Sequence, residues 1–451
     1  MTKENKMGTT PIGKLLVEVS LPIMISMFIQ ALYNVVDSFF VSQLNEQAFT
    51  AVSLAFPIQN TMIGIAVGTG VGINALLSRS LGEKNLKQAN LAAENGVLLA
   101  IIYTVVFFIF GIVGSEAFYR SQTQDPRIIA YGVEYISVVT MFSAGIFMQI
   151  TMERLLQATG RSMLTMIMQI VGAVTNIIMD PILIFGLLGF PKMGVKGAAI
   201  ATVMGQILAA ILGMIFERKY NTEVHISGIK PHFETIKKIY VVGIPSIILT
   251  SLTGVTVYFF NKILSKFSDT ALAAYGAYFK MQSFVFMPVF GLVNGMVPIL
   301  AYNFGAAKPD RAKKAIKYSL IAGVSIMCIG FLIFQIFPNQ LLKVFNASDE
   351  LLEIGSKALR IISVSFLFAG ISVVSASVFQ ALGNGVLSLM ITFLRLILVL
   401  LPVAYLLSLK GDLSLVWWAY PIAEVVDAFA CTFFLKKFAF KEIDSLKVRT
   451  N

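Results

Sequence analysis

Two acids stand inside long apolar stretches of this 451-residue chain: Asp37 in ALYNVVDSFFVSQL and Asp180 in NIIMDPILIFG. Asn176 lies four residues before Asp180, so amide and carboxyl share one helix face. Pro181 has no N–H and leaves the carbonyl of Ile177 without its helical donor. An acid, an amide and a freed carbonyl close together make a site for a cation or a proton. The competing reading is a helix kink whose acid only caps local backbone. Asp37 is close to the end of its stretch and reads either as a partner in such a site or as an acid at the outer interface. Two carboxyls in a low dielectric cannot both ionise cheaply, and a bound proton or Na+ relieves their repulsion. The chemistry suggested is reversible ion binding, provided the fold brings the two acids together.

Other charges in apolar surroundings carry weaker signals. Glu153, in MERLLQATGR, sits beside Arg154 and reads equally as an interfacial ion pair or as a transport residue. Lys280 and Arg395 are deep enough to line a cavity or to neutralise an acid on another helix, and pairing is favoured for Arg395. Glu424 and Asp427, three apart, could share a face, with no role assigned. Cys328 and Cys431 lie in apolar runs, which argues against a disulfide framework. His225 and His232 share one polar loop without further ligands at zinc spacing. No nucleophile–base arrangement or metal cluster is recognisable, so neither an enzyme nor a bound cofactor is expected. Glycines 68, 70 and 72 form GTGVG with no preceding strand and no following GK[ST], which favours close helix packing over phosphate binding. Trp417 and Trp418 read as anchors at a membrane interface.

The elements that must position these groups follow from composition. Hydrophobic residues make up 57% of the chain and charged residues 13%, about half the charge of a soluble domain. Residues 97–114, 239–261, 318–342 and 361–394 contain no Asp, Glu, Lys or Arg. About 20 apolar residues cross a bilayer's hydrocarbon. This excludes a soluble enzyme, a nucleic-acid-binding module and a disordered chain. Apolar windows predict twelve helical spans, near 14–41, 50–79, 91–115, 130–158, 163–187, 195–217, 239–263, 270–302, 315–338, 353–381, 386–409 and 413–438. Runs this long without strict alternation exclude a barrel. The net charge of +11 then reflects basic residues gathered on one side. With the N-terminus inside, 23 of the 35 Lys and Arg fall on inner tails and connections and 8 on outer ones. That bias puts both termini in the cytoplasm.

The chain also repeats. A shift of 223 residues lays Pro22 on Pro245, Ala51 on Ala274, Phe56 on Phe279 and Gln59 on Gln282. The same shift lays Gly68, Gly72 and Gly82 on Gly291, Gly295 and Gly305, and Gln157, Ala158 and Gly160 on Gln380, Ala381 and Gly383. Each half has six spans, an even number, so both halves enter the membrane in the same direction. The expected fold is an all-α polytopic membrane protein with two six-helix bundles related by a pseudo-two-fold axis along the membrane normal. The bundles are residues 1–217 and 239–451, joined by a cytoplasmic loop at 218–238. Asp37 and Asp180 fall on Phe260 and Val403, so ion chemistry is expected in the first half alone.

YNVVDSFFVSQL, AFTAVSLAFPI, SRSLGEKNLKQA, LLQATGR, NIIMDPILIFG and GVKGAAIATVMGQ together resemble the multidrug and toxic compound extrusion (MATE) family, nearest its DinF/MepA-like branch. AAYGAYFKMQSF and VPILAYNFGAAKPDRAKKAI extend the resemblance through the second half. It implies a secondary antiporter in the bacterial cytoplasmic membrane that exports lipophilic, often cationic compounds against inward H+ or Na+. It also implies an ion network of Asp37, Asn176, Asp180 and Thr202, which would hold any Na+. Pro22, Tyr33, Asn34, Glu153, Lys280 and Arg395 are the further candidates for cavity or gating. Relatives of the NorM type carry acids in the seventh and tenth helices. Here span seven has no core acid and span ten has Glu353 at its edge, so a NorM-style second site is not expected. The expected partners are small drugs and membrane lipid, with no nucleic acid and a monomeric chain. The main rival is a flippase for lipid-linked precursors, from a related superfamily, for which Lys280 and Arg395 supply little basic charge.

Overall fold

The structure, a computed structural model, describes residues 5–344 and 348–449, and those residues form helices and connections without a strand. Lys3, counted above among the inner basic residues, lies outside them. Among the described residues ten helices are long and apolar enough to cross a membrane, and two bent pairs, each taken as one span, bring the number to twelve. They are α1 (Ile12–Ser42), α2 (Glu46–Gly82), α3 (Leu86–Val113), α4 (Pro126–Met141 with Ala144–Ala158), α5 (Ser162–Phe185) and α6 (Val195–Tyr220). The second six are α7 (Phe233–Leu264), α8 (Asp269–Gly305), α9 (Pro309–Ile336), α10 (Asp349–Ser363 with Phe366–Ala381), α11 (Gly385–Ser408) and α12 (Leu413–Leu446). Backbone polar groups in hydrocarbon must bond within their own segment, so apolar runs of this length become helices.

The repeat seen in the residues is also present in the backbone. α4 bends by 44° and α10 by 50°, at breaks that correspond to within one residue of the repeat length. Positive φ angles recur at the same shift: Lys84 with Ala307, Gly160 with Gly383, and Leu188 with Gly411. Neither Lys84 nor Ala307 is the glycine this conformation favours, so the turn geometry is held by its surroundings. Helix starts correspond as well: Asn45 accepts from the Ala48 N–H at the head of α2, and Ser268 from the Ala271 N–H at the head of α8. Such caps contribute about 1 kcal/mol each.

The chain forms two compact units, Ile25–Tyr240 and Met1–Met24 with Val241–Asn451. A boundary at 217 follows the repeat, whereas packing assigns the first 24 residues to the unit containing the second half. Within that unit the Arg311 guanidinium donates to the carbonyls of Met7 and Thr10 at 2.9 and 2.7 Å, and the Ser20 hydroxyl donates to the Leu292 carbonyl. The loop at 218–238 belongs to the other unit. Glu94 of α3 accepts from the N–H groups of Ser227 and Gly228, while Asn90 and Asn95 accept from those of His225 and His232.

Trp417 departs from its expected role as an interface anchor. It is buried, with its ring close to Phe260 and Tyr275, and only Trp418 remains exposed. GTGVG packs closely as expected: a Cβ at Gly70 would lie 2.7 Å from the Arg154 side chain of α4.

Candidate functional site

α5 and α6 approach closely because glycines face each other. A Cβ on Gly205 would lie 2.5 Å from the Gly172 carbonyl oxygen, and one on Gly197 would lie 2.6 Å from that of Leu183. Small residues at such crossings let the backbones meet. Asn176 follows Gly172 by one turn and Thr202 precedes Gly205 by one turn, so the crossing carries both to the same place. The Asn176 amide donates to Asp180 Oδ1 at 3.3 Å and to Thr202 Oγ1 at 3.4 Å. Pro181 lies inside α5, next to Asp180.

Asp37 of α1 joins this group, its carboxyl lying against that of Asp180. Asp180 is fully buried and Asn176 nearly so. Three buried oxygens have no hydrogen-bond partner: Asp37 Oδ1, Asp180 Oδ2 and Asn176 Oδ1. Two carboxyls in contact, with three unsatisfied acceptors around them, suit a proton or a small cation. The same residues suit Na+ by donor chemistry, being carboxylate, amide and hydroxyl oxygens. Among the described residues no group of three or more His, Cys, Asp or Glu forms a transition-metal centre.

Sequence reasoning missed two neighbours. Tyr135 of α4 faces Asp37 and is itself buried, and Gln59 of α2 donates to its phenolic oxygen at 3.1 Å. Gln59 was visible as a repeated position, while nothing in the pattern pointed to Tyr135. Tyr33 faces both Asp37 and Glu153, which places it between the acid cluster and α4. Glu153 accepts from the Gln149 amide, which also donates to Gln169 of α5. The Asn34 side chain is exposed, and its carbonyl accepts from Ser38.

The remaining candidates belong to the other compact unit. Pro22 is buried inside α1. Lys280 lines a groove of about 610 Å³ between α7 and α8, with Tyr258, Asn261, Lys262 and Tyr275. Arg395 pairs with Glu424 and Asp427 of α12, the neutralising role favoured for it.

Fold and site together define a polytopic α-helical membrane protein of two six-span repeats, with an acidic cluster buried in the first. The chain belongs to the MatE family, whose model matches residues 22–182 and again residues 244–406. The two matches are offset by the repeat length found above, to within a residue. The multidrug export protein MepA of Staphylococcus aureus strain MSSA476 is 28% identical over 93% of each chain, and that of Staphylococcus haemolyticus is 26% identical over 94% of this chain and 93% of the relative. The crystal structure of a MATE in the bent conformation superposes with a TM-score of 0.91 at 24% identity, covering 100% of this chain and 99% of the other. That likeness establishes the fold.

Proposed function

We propose that this protein is a secondary antiporter that exports lipophilic, often cationic compounds in exchange for inward H+ or Na+. The observation carrying this reading is the cluster of Asp37, Asn176, Asp180 and Thr202, with its three unpartnered oxygens. The ion enters the cluster, neutralises the carboxyl pair, and favours one of two access states. Coupling requires that the two states bind the ion unequally, since otherwise no population shifts. Exchange proceeds by alternating access between bundles 1–217 and 239–451, with 218–238 as their link. Both termini are in the cytoplasm of a bacterial cell, the chain acts as a monomer in its lipid, and the first-helix Pro22 takes part in gating. Export of drugs is supported by the names of the MepA relatives.

A flippase for lipid-linked precursors needs a strongly basic cavity. Arg395 is already committed to two carboxyls, and the basic residues lining the α7–α8 groove are Lys262 and Lys280. That is little positive charge for a pyrophosphate, so the antiporter is the better reading. The experiment is substrate efflux from vesicles containing the purified protein under separately imposed pH and Na+ gradients. Efflux driven by either gradient supports the reading. Efflux indifferent to both, or movement of an anionic lipid headgroup instead, rejects it.

A further inference from the structure

The second repeat contains a buried charge imbalance that the ion cluster does not use. Arg395 Nη1 donates to both carboxylate oxygens of Glu424, at 3.1 Å each. Its Nε is 3.9 Å from Asp427 Oδ2, too far for a hydrogen bond. One guanidinium therefore faces two carboxyls, and Glu424 takes its hydrogen bonds. Asp427 is 3% exposed and Glu424 6%. Asp427 Oδ1 has no hydrogen-bond partner, and the one hydrogen bond to its other oxygen comes from the Cys431 thiol, a weak donor, at 4.0 Å. From α10 the Ser372 hydroxyl faces this carboxyl; it too is 3% exposed and has no hydrogen-bond partner. Arg395 itself lies in a π-helical stretch over Leu394–Leu400, a local feature often found at functional sites.

We propose that Asp427 is a second proton-binding site, exchanging with solution and served by Ser372. The charged and titratable groups that face Asp427 are Arg395 of α11 and Glu424 and Cys431 of α12. Tyr278 of α8 and Tyr420 of α12 face Glu424 and Arg395. With Asp427 itself, only Arg395 and Glu424 of this group are charged in their ordinary state, and the three together leave one negative charge uncompensated. A proton on Asp427 removes it. A hydroxyl both donates and accepts, so Ser372 completes either state: it accepts from protonated Asp427 and donates to the ionised form. A metal cation would find only a carboxylate and a hydroxyl beside a guanidinium, a poor seat. That this proton contributes to transport rests on the antiporter reading, whereas the site itself does not.

The test is pH-difference infrared spectroscopy on the full-length protein in lipid, comparing wild type with Asp427→Asn, Ser372→Ala and the Asp37→Asn, Asp180→Asn double variant. The expected result is a protonated-carboxyl band that grows on acidification, vanishes in Asp427→Asn and persists in the double variant. Ser372→Ala, a small change that keeps the fold, should shift that band. Titrating bands unchanged in both Asp427→Asn and Ser372→Ala would overturn the proposal, as would loss of every such band in the double variant. Failure of the antiporter reading is seen separately, as vesicle efflux indifferent to ion gradients.

Discussion

The Asn176 side-chain nitrogen lies 3.4 Å from the Thr202 hydroxyl of the neighbouring helix and 3.3 Å from Asp180 within its own. One amide thus joins α5 to α6 and orients a fully buried carboxyl. Replacing it by leucine leaves Asp180 Oδ1 without that donor, at a cost of about 1–3 kcal/mol for an unsatisfied buried group. Asn176→Leu should lower the melting temperature in detergent and reduce gradient-driven efflux. Thr202→Val, which leaves the Asn176–Asp180 bond in place, should do less on both measures. Equal effects would mean that the amide does not organise the site.

The glycine crossing positions both residues. Gly205→Ala puts a methyl group 2.5 Å from a backbone oxygen that has no rotamer to yield. Overpacking of this kind costs about 1–3 kcal/mol. The variant should melt earlier and lose transport even though it touches no polar group. Gly189→Ala tests nothing of this packing, since its Cβ meets nothing within 4 Å, but its φ of +86° strains the turn. A melting curve for Gly205→Ala that overlays wild type would refute the close crossing.

Arg395 holds two buried carboxyls on α12. Removing one partner of a buried ion pair costs about 3–5 kcal/mol, because the remaining charge is left uncompensated. Arg395→Met should therefore destabilise the protein strongly, and Glu424→Gln less, since Asp427 remains as a counter-ion. Thermal unfolding in detergent distinguishes the two. The opposite order would mean that Glu424, not Arg395, holds this part of the second repeat together.

Much of this architecture was legible in the residues, for identifiable reasons. Long uncharged runs such as 361–394 permit only helices in lipid, and the edges of α5 and α10 fell close to their expected positions. Asp37 and Asp180 stood out because a carboxyl in an apolar run is costly without a purpose. Tyr135 was hidden, since its place beside Asp37 and Gln59 depends on α1, α2 and α4 meeting side by side, and no periodicity encodes such a meeting. For Arg395 pairing was foreseen, but nothing in the pattern named Glu424 and Asp427 as its partners. The bend in α4 was hidden too, as Phe142 and Ser143 at its break are neither proline nor glycine. Trp417 misled because an indole in a core of aromatic rings and an indole at a lipid interface look alike in a one-dimensional pattern.

Efflux from vesicles carrying the Asp37→Asn, Asp180→Asn double variant, set beside wild type under the same imposed pH and Na+ gradients, tests the central claim most directly. If those carboxyls carry the exchanged ion, the folded double variant moves substrate no faster down an ion gradient than without one, while wild type accelerates. Undiminished gradient-driven efflux by a correctly folded double variant would contradict the account.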